Sequence, residues 1–227
     1  MNPPLLDPDL IQAGAGGGTI GRRVQVYRET ASTNDLLLKL GEAGEPEGLV
    51  VFAERQTAGR GRFQRPWHSA DGLGLWFSIL LRPNLVPERI TDLTPFVAVA
   101  VTEGLGEAAA SASLRVKPPN DIYGAYGKVA GILIEARTGA RPFAVLGVGI
   151  NINHQNADFP EELRPTASSL ALEAGAPQDR TAAACSVLRH LNRSLPELGE
   201  ESPTFLKRYE ALSRWWTPPD PLQTPNL

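Results

Sequence analysis

Residues 49–81 read LVVFAERQTAGRGRFQRPWHSADGLGLWFSILL and contain two apolar runs on either side of a polar loop. The runs at 49–54 and 75–81 have the length and the continuous apolar character that are typical of strands buried in a sheet. The loop between them, residues 55–74, contains two glycines that alternate with two arginines at 59–62. The stretch therefore predicts two central strands joined by a loop with a local concentration of positive charge.

The rest of the chain supplies further strands and helices around this pair. A helix is predicted directly after Ser32, Thr33 and Asn34, because such side chains accept the free backbone N–H groups at a helix start. The other predicted elements are strands at 24–27, 114–117, 128–135 and 143–153, a long helix at 87–110, and helices with loops over 167–216. Strands in a central cluster predict an α+β domain with a mixed or antiparallel sheet and flanking helices packed on one side.

Both ends of the chain differ in composition from its middle. Residues 1–20 are rich in proline, alanine and glycine and are predicted to form a flexible leader. Residues 21–216 are predicted to form one domain, and the proline-rich residues 217–227 a disordered tail. Because no helix-turn-helix fits before the first predicted strand, we expect no built-in DNA-binding domain.

Composition narrows the classes of protein to consider. The chain has 227 residues and a formal net charge of −3 at pH 7, which does not favour nucleic acid as a partner. We find neither a secretory signal nor an apolar run long enough to span a bilayer. The single cysteine, Cys185, allows no internal disulfide and fits a reducing compartment. We therefore expect a cytoplasmic protein without membrane or DNA partners.

The glycine- and arginine-rich loop is the first candidate site. Its glycines let backbone N–H groups approach an anion closely, and its arginines offer planar forks of donors for phosphate. Trp67 is suited to cover a flat ring or an apolar ligand. Such a loop suits a mixed anhydride of a carboxylate with AMP. The alternative is an exposed loop that solvates the surface or binds RNA, although RNA-binding tracts usually repeat and this one is single.

Two later segments place polar residues beside apolar strands. Lys128 opens the strand at 128–135, where a lysine either extends into solvent or binds an anion. Asn120 and Asp121 follow two prolines and suit a turn. In GVGININ, residues 147–153, the glycines let a ligand approach, and Asn151 either reads a purine edge or faces solvent. Phosphate-loop and dinucleotide fingerprints are not found, and the three histidines are not spaced for a metal.

The order of these segments, rather than any one of them, resembles a known family. Residues 32–34, 56–67, 117–135 and 147–153 together look like the catalytic domain of biotin protein ligases. The resemblance runs from about residue 24 to residue 153 and faintly on to 216. The glycine- and arginine-rich loop and the pattern Pro-Asn-Asp…Lys-x-x-Gly-Ile-Leu-x-Glu are specific to that family. Lipoate ligases share the fold but not these sequence motifs.

The resemblance implies a fold and a reaction. The fold is the class II synthetase-like catalytic domain of biotin and lipoate ligases. The reaction activates biotin with ATP to biotinyl-5′-AMP, with Mg²⁺ as counterion, and transfers biotin to a lysine of the biotin carboxyl carrier protein of acetyl-CoA carboxylase. A homodimer is also possible in this family. The alternatives are a lipoate or octanoate ligase, and a module that binds biotinyl-AMP but transfers it weakly.

The resemblance also assigns residues to roles, and the metal ligand stays unknown. The expected biotin-binding residues are Ser32, Thr33, Asn34, Gln56, Arg60, Gly61, Arg62 and Lys128. The expected ATP-binding residues are Gly59, Arg60, Arg62, Trp67, Lys117, Asn120, Asp121 and Asn151. Lys128 and Arg60 are the expected catalytic residues, since their charge relieves the repulsion between a carboxylate and a phosphate. Asp121 is a candidate either to orient the acceptor lysine or to assist the metal.

The sequence departs from the family pattern at two points. Pro118 stands where the family commonly has a tryptophan between the lysine and the proline of the second motif. The small C-terminal β-barrel that most relatives have is expected to be absent. Because that barrel helps to bind ATP and the carrier in the family, its absence bears on both half-reactions.

Overall fold

The computed structural model describes residues 4–84 and 86–216 of the chain. The strands are β1 (Arg23–Thr30), β2 (Leu49–Gln56), β3 (Gly74–Leu81), β4 (Arg115–Lys117), β5 (Asp121–Tyr123), β6 (Lys128–Arg137) and β7 (Phe143–Asn151). The α-helices are α1 (Pro8–Gly14), α2 (Thr33–Glu42), α3 (Leu93–Ala108), α4 (Leu170–Ala174), α5 (Arg180–Ser194) and α6 (Thr204–Ser213). Within the described residues, no helix combines the length and the apolar character needed to cross a membrane. The predicted tail at 217–227 lies outside the described residues.

The seven strands form one mixed sheet in the order β1-β2-β3-β7-β6-β5-β4. β1 pairs with β2 in parallel, and every other pair of neighbours is antiparallel. A parallel pair needs a crossover connection, which α2 provides between β1 and β2. The predicted α+β class with a mixed sheet and flanking helices is confirmed.

Alternate side chains of the strands face two separate apolar layers. Phe52 and Phe77 lie in the larger core, which also contains residues of α1, α3 and α5. Val51 and Leu80 lie in a smaller cluster with Leu37 of α2, on the opposite face. The expectation that the helices pack on one side is therefore wrong for α2. Strands that are apolar on both faces need cover on both faces, and this explains the position of α2.

Two predicted elements differ in detail from the structure. The long helix predicted at 87–110 is a 3₁₀ segment, Pro87–Asp92, followed by α3. The strand predicted at 114–117 is β4, and it turns back into β5. Asp121, which was expected in the turn, is the first residue of β5. The hairpin thereby presents its turn and the start of β5 to the same face of the sheet as α2.

The predicted flexible leader is wrong for the described residues 4–20. Asp7 caps the first turn of α1 by accepting hydrogen bonds from two backbone N–H groups. Ile11 and Ile20 are fully buried in the larger core. Asn192 of α5 donates hydrogen bonds to two backbone carbonyls of the segment. Burial of these apolar side chains against α5 offsets the conformational freedom that the glycines favour.

A buried ion pair joins this N-terminal segment to the sheet. Arg180, at the start of α5, lies 2.7 Å from Glu54 in β2, and the two side chains are 4% and 1% exposed. Arg180 also donates to the backbone carbonyls of Pro4 at 2.5 Å and Gly74 at 3.2 Å. Glu54 accepts from the backbone N–H of Leu6 at 2.7 Å. The pair therefore holds the start of the chain against both ends of the loop between β2 and β3.

We expect Arg180→Met to lower the free energy of unfolding by about 3–5 kcal/mol, because the change leaves the Glu54 carboxylate buried without a positively charged partner. Urea denaturation at pH 7 measures this. The matched control is Arg55→Met, which removes an ion pair with Glu29 in which both side chains are more than half exposed. The control should change stability by no more than about 1 kcal/mol. Equal effects of the two changes would contradict the importance of the buried pair.

Candidate functional site

A cavity of about 330 Å³ opens on the face of the sheet that α2 covers. Strands β3, β6 and β7 form its floor, the start of α2 one wall, and the loop at 57–73, here called the arginine loop, its cover. The predicted site residues that line it are Ser32, Thr33, Asn34, Gln56, Arg60, Gly61, Arg62, Trp67, Asn120, Asp121, Lys128 and Asn151. The structure thus brings together twelve residues from widely separated stretches of the sequence.

The start of α2 presents a set of buried polar groups. Ser32 is the N-cap and accepts the backbone N–H of Asp35 at 3.3 Å. Thr33 donates to Gln56 Oε1 twice, from its backbone N–H at 2.9 Å and from its hydroxyl at 3.1 Å. Gln56 Nε2 in turn donates to Ser69 Oγ at 3.2 Å. The helix start is therefore fixed to β2 and to the end of the arginine loop.

Ser78 of β3 extends this network, and sequence reasoning missed it. Its hydroxyl oxygen is fully buried and lies 2.7 Å from Thr33 Oγ1 and 2.6 Å from Asn34 Oδ1. Asn34 Nδ2 donates to Glu135 Oε2 at 2.8 Å. The available signal was one polar residue in the otherwise apolar run at 75–81. A chain of hydrogen bonds thus runs along one end of the cavity, and its amide and hydroxyl groups suit a polar ring.

Glycines in β6 and β7 make room for the side chains above the floor. A Cβ at Gly147 would collide with the side-chain amide of Asn34, and one at Gly149 would lie 2.5 Å from the ring of Trp67. A Cβ at Gly131 would lie 2.8 Å from the same ring. The space over the β7 glycines thus receives side chains of the same chain, and the approach of a ligand to these glycines stays a prediction. Trp67 lies flat enough on the floor to act as one wall of a ring-binding space.

The arginine loop folds into a small hairpin over the cavity. Gly61 donates its N–H to the Arg65 carbonyl at 2.8 Å, and Trp67 donates to the Gly59 carbonyl at 2.9 Å. Gly59 does not line the cavity, but a Cβ there would lie 3.0 Å from the Trp67 carbonyl. Arg62 Nη1 donates to Asn120 Oδ1 at 3.2 Å and so ties the hairpin tip to the opposite rim.

Arg60 is held by two carboxylates to which the sequence assigned no role. Its Nη2 atom pairs with Asp35 Oδ1 and lies 3.4 Å from Glu135 Oε2. Partial burial alone would lower the pKa of Arg60, but hydrogen bonding to Asp35 and the charge of Glu135 raise it above its ordinary value. Arg60 is therefore a permanent positive charge in the cover of the cavity.

Lys128 supplies the second positive charge of the cavity. Its Nζ atom lies 2.7 Å from Asp121 Oδ1 and 5.1 Å from the centre of the Trp67 ring. Its side chain is 28% exposed and lines the cavity. This placement favours an anion-binding role over simple extension into solvent. An arriving carboxylate or phosphate would meet the ammonium group beside an aromatic face.

Two predicted ATP-binding residues have other contacts. Lys117 does not line the cavity: its Nζ atom lies over the rings of Tyr123, at 4.9 Å, and Trp216, at 4.2 Å. Asn151 lines the cavity, but its Nδ2 donates to the Ser168 carbonyl at 3.0 Å and so supports the loop after β7. Reading of a purine edge by Asn151 stays a prediction. Among the described residues, no group of three or more acidic, histidine or cysteine side chains is placed to hold a metal ion.

Comparison with known proteins identifies the family of this fold and site. The model of the biotin/lipoate A/B protein ligase family matches residues 26–153. This chain belongs to that family, as the sequence resemblance implied, and its mixed sheet is the class II synthetase-like fold of its structural neighbours. A biotin protein ligase from Aquifex aeolicus in complex with biotin and ATP superposes with a TM-score of 0.71 at 30% identity. The match covers 85% of this chain and 78% of that one.

Two curated relatives show how far the likeness extends along the chain. The bifunctional ligase/repressor BirA of Bacillus subtilis is 38% identical over 191 residues, which are 83% of this chain and 57% of that protein. The biotin--[acetyl-CoA-carboxylase] ligase of Mycobacterium tuberculosis is 35% identical over 217 residues, 94% of this chain and 79% of that one. The chain thus spans little more than half the length of the Bacillus relative.

His154 lies next to Phe159, which lines the cavity, and burial shifts the pKa of its imidazole. It is fully buried, stacks on Phe159 at 4.9 Å between ring centres, and meets Trp76 edge-on at 5.8 Å. Neither ring nitrogen has a hydrogen-bond partner among the described residues. Burial, with a smaller contribution from His68, lowers the pKa of His154 from 6.5 to about 4. The folded protein therefore holds this histidine neutral.

The lowered pKa predicts a pH dependence of stability. Between pH 6.5 and about 4 the unfolded chain binds a proton at His154 that the folded chain does not bind. The contribution of the neutral His154 to the free energy of unfolding is therefore complete above pH 6.5 and is lost as the pH falls towards 4. It amounts to roughly 3 kcal/mol, since one pKa unit corresponds to about 1.4 kcal/mol. His154→Phe keeps the aromatic packing and should remove this part of the slope in urea denaturation. His68→Gln, at an exposed histidine, should keep most of it; a slope unchanged in His154→Phe would contradict the assignment.

Proposed function

We propose that the chain activates biotin with ATP to biotinyl-5′-AMP and transfers biotin to a lysine of a biotin carboxyl carrier protein. The observation that carries the proposal is one cavity with a buried row of hydroxyl and amide groups at one end and the cations Arg60 and Lys128 above its floor. The structural neighbour with biotin and ATP bound and the relatives named as biotin ligases support the choice of ligands.

The buried polar end suits the ureido ring of biotin. That ring has two N–H donors and one carbonyl acceptor, and Thr33 and Gln56, which line the cavity, belong to one hydrogen-bonded network that also includes Ser78. Because these groups are shielded from water, hydrogen bonds to them are strong. The same groups are poorly matched to the disulfide ring of lipoate.

The cations suit the activation step. The biotin carboxylate attacks the α-phosphate of ATP, a bond forms between carboxylate oxygen and phosphorus, and pyrophosphate leaves. Two anions must approach each other, so the fixed charges of Arg60 and Lys128 lower the barrier as charge builds on the phosphorus oxygens. Mg²⁺ bound with the nucleotide would neutralise the charge of the leaving pyrophosphate.

The cover suits protection and transfer of the intermediate. The arginine loop, which includes Trp67, shields the mixed anhydride from water until the carrier arrives. The amine of the carrier lysine then attacks the acyl carbon, an amide bond forms, and AMP leaves with the electrons of the cleaved bond. Asp121, which pairs with Lys128, is the candidate either to orient the carrier lysine or to assist the metal. A cytoplasmic location, a homodimer and freedom from DNA stay predictions.

A lipoate or octanoate ligase is the second candidate, because the family model covers biotin and lipoate ligases alike. Exchange of labelled pyrophosphate into ATP separates the two, since it reports formation of the acyl-adenylate alone. We expect biotin to stimulate exchange and lipoate to leave it at background, because the polar groups at the end of the cavity match the ureido ring of biotin and not the disulfide ring of lipoate. Exchange stimulated by lipoate or octanoate and not by biotin would replace the proposal by the second candidate.

We expect Lys128→Ala to slow biotin-dependent pyrophosphate exchange by roughly a hundredfold to a thousandfold, which corresponds to about 3–4 kcal/mol of transition-state stabilisation. The matched control is Lys39→Ala, which removes an exposed lysine from α2 on the outer surface. The control should exchange at the rate of the unaltered protein. A near-normal rate in Lys128→Ala would remove Lys128 from the mechanism.

A further inference from the structure

The pairing of Arg60 with Asp35 and Glu135 has no part in the chemistry described so far. The three side chains come from separate elements: Asp35 from the first turn of α2, Glu135 from β6, and Arg60 from the arginine loop. Arg60 is 24% exposed and Glu135 21%, so the charges of this pair are partly shielded from water, whereas Asp35 is 42% exposed. A partly shielded pair is stronger than a pair on an open surface.

Glu135 connects the loop to the polar end of the cavity. Its Oε2 atom accepts from Asn34 Nδ2 at 2.8 Å and lies 3.4 Å from Arg60 Nη2. Asn34 in turn meets Ser78, and the network continues to Thr33. One carboxylate oxygen therefore fixes both the buried amide and the loop arginine.

The guanidinium of Arg60 is not fully used by these contacts. Arginine has five N–H donors. Nη2 bonds to Asp35 and Glu135, and Nη1 bonds to Gln64 Oε1 at 3.4 Å. Two N–H groups thus have no hydrogen bond among the described residues. The carboxylates can keep their hold on Arg60 while the remaining donors meet an anion in the cavity.

Besides the bond from Arg62 to Asn120 and the packing of Trp67 on the floor of the cavity, the hairpin has hydrogen bonds within itself. The hydrogen bonds from Gly61 to Arg65 and from Trp67 to Gly59 lie within it. Its tip contains Phe63 and Gln64, both with positive φ, of 57° and 59°, a conformation that non-glycine residues adopt only at a cost. Contacts to the rest of the domain must therefore offset this strain, and the Arg60 pairs are charged contacts of this kind.

We infer that Asp35 and Glu135 are positioning residues that hold the arginine loop over the cavity. The alternative is an inhibitory contact, in which the carboxylates compete with the ligand for Arg60. Removal of the carboxylates would then tighten ligand binding. The bond from Glu135 to Asn34 and the two free N–H groups of Arg60 favour positioning. The expected effect of these residues on the release of biotinyl-AMP rests on the proposed function, whereas their expected effect on the arginine loop does not.

Tryptic cleavage in the absence of ligand tests the hold on the loop directly. Arg62, at the hairpin tip, is an exposed trypsin site. In Asp35→Asn, Glu135→Gln and the double variant, which keep side-chain shape, we expect cleavage after Arg62 to be roughly three- to tenfold faster. The control is Glu42→Gln, which removes a carboxylate from the same helix, where it pairs with Arg137 on the surface. Unchanged thermal unfolding separates a loosened loop from a destabilised domain.

Release of biotinyl-AMP provides the second readout. After a single turnover and a chase with unlabelled biotinyl-AMP, Asp35→Asn and Glu135→Gln should release labelled adenylate several-fold faster. In Asp35→Asn, which leaves the bond between Glu135 and Asn34 intact, the KM for biotin should change little. Asp35→Glu, which restores the charge, should slow release again. Cleavage and release that are unchanged or slower than in the parent would overturn the inference. If the parent makes no biotinyl-AMP, the proposed function fails, while the cleavage result still decides the inference.

Discussion

Close packing over three glycines is the constraint on which the site depends. Gly131, Gly147 and Gly149 lie on neighbouring antiparallel strands and leave no side chains above the middle of the sheet. A Cβ at any of them would enter the space of Asn34 or Trp67. The gap admits the polar start of α2 on one side and an indole ring on the other, and a ligand must fit between them.

Each cation of the cavity is paired with carboxylates of the same chain. Arg60 is held by Asp35 and Glu135, and Lys128 by Asp121. These ion pairs fix the cations in position, which is the arrangement that a preorganised electrostatic site requires. The buried hydrogen-bond chain through Ser78 reaches the same carboxylate, so the polar end of the cavity and the arginine loop share Glu135.

Much of this arrangement was predictable from the sequence, and the reasons for the failures are physical. Apolar runs and glycine patterns predicted the strands, because burial fixes residue type along a strand. The pairing of Glu135 with Arg60 and Asn34 was not predictable, since 75 and 101 residues separate the partners. The leader was misread because α1 is stabilised by contacts with α5, which local composition does not reveal. Lys117 matched a motif, but aromatic rings hold it away from the cavity.

Transfer of biotin to a carrier lysine tests the central claim most directly. Purified chain, biotin, ATP and a biotin carboxyl carrier domain are incubated, and the carrier is examined by intact mass spectrometry. The account predicts one biotinyl group per carrier, only when ATP is present, and none on a carrier whose acceptor lysine is replaced by arginine. A carrier that stays unmodified while biotinyl-AMP accumulates would contradict the account and indicate a module that binds the adenylate without transferring it.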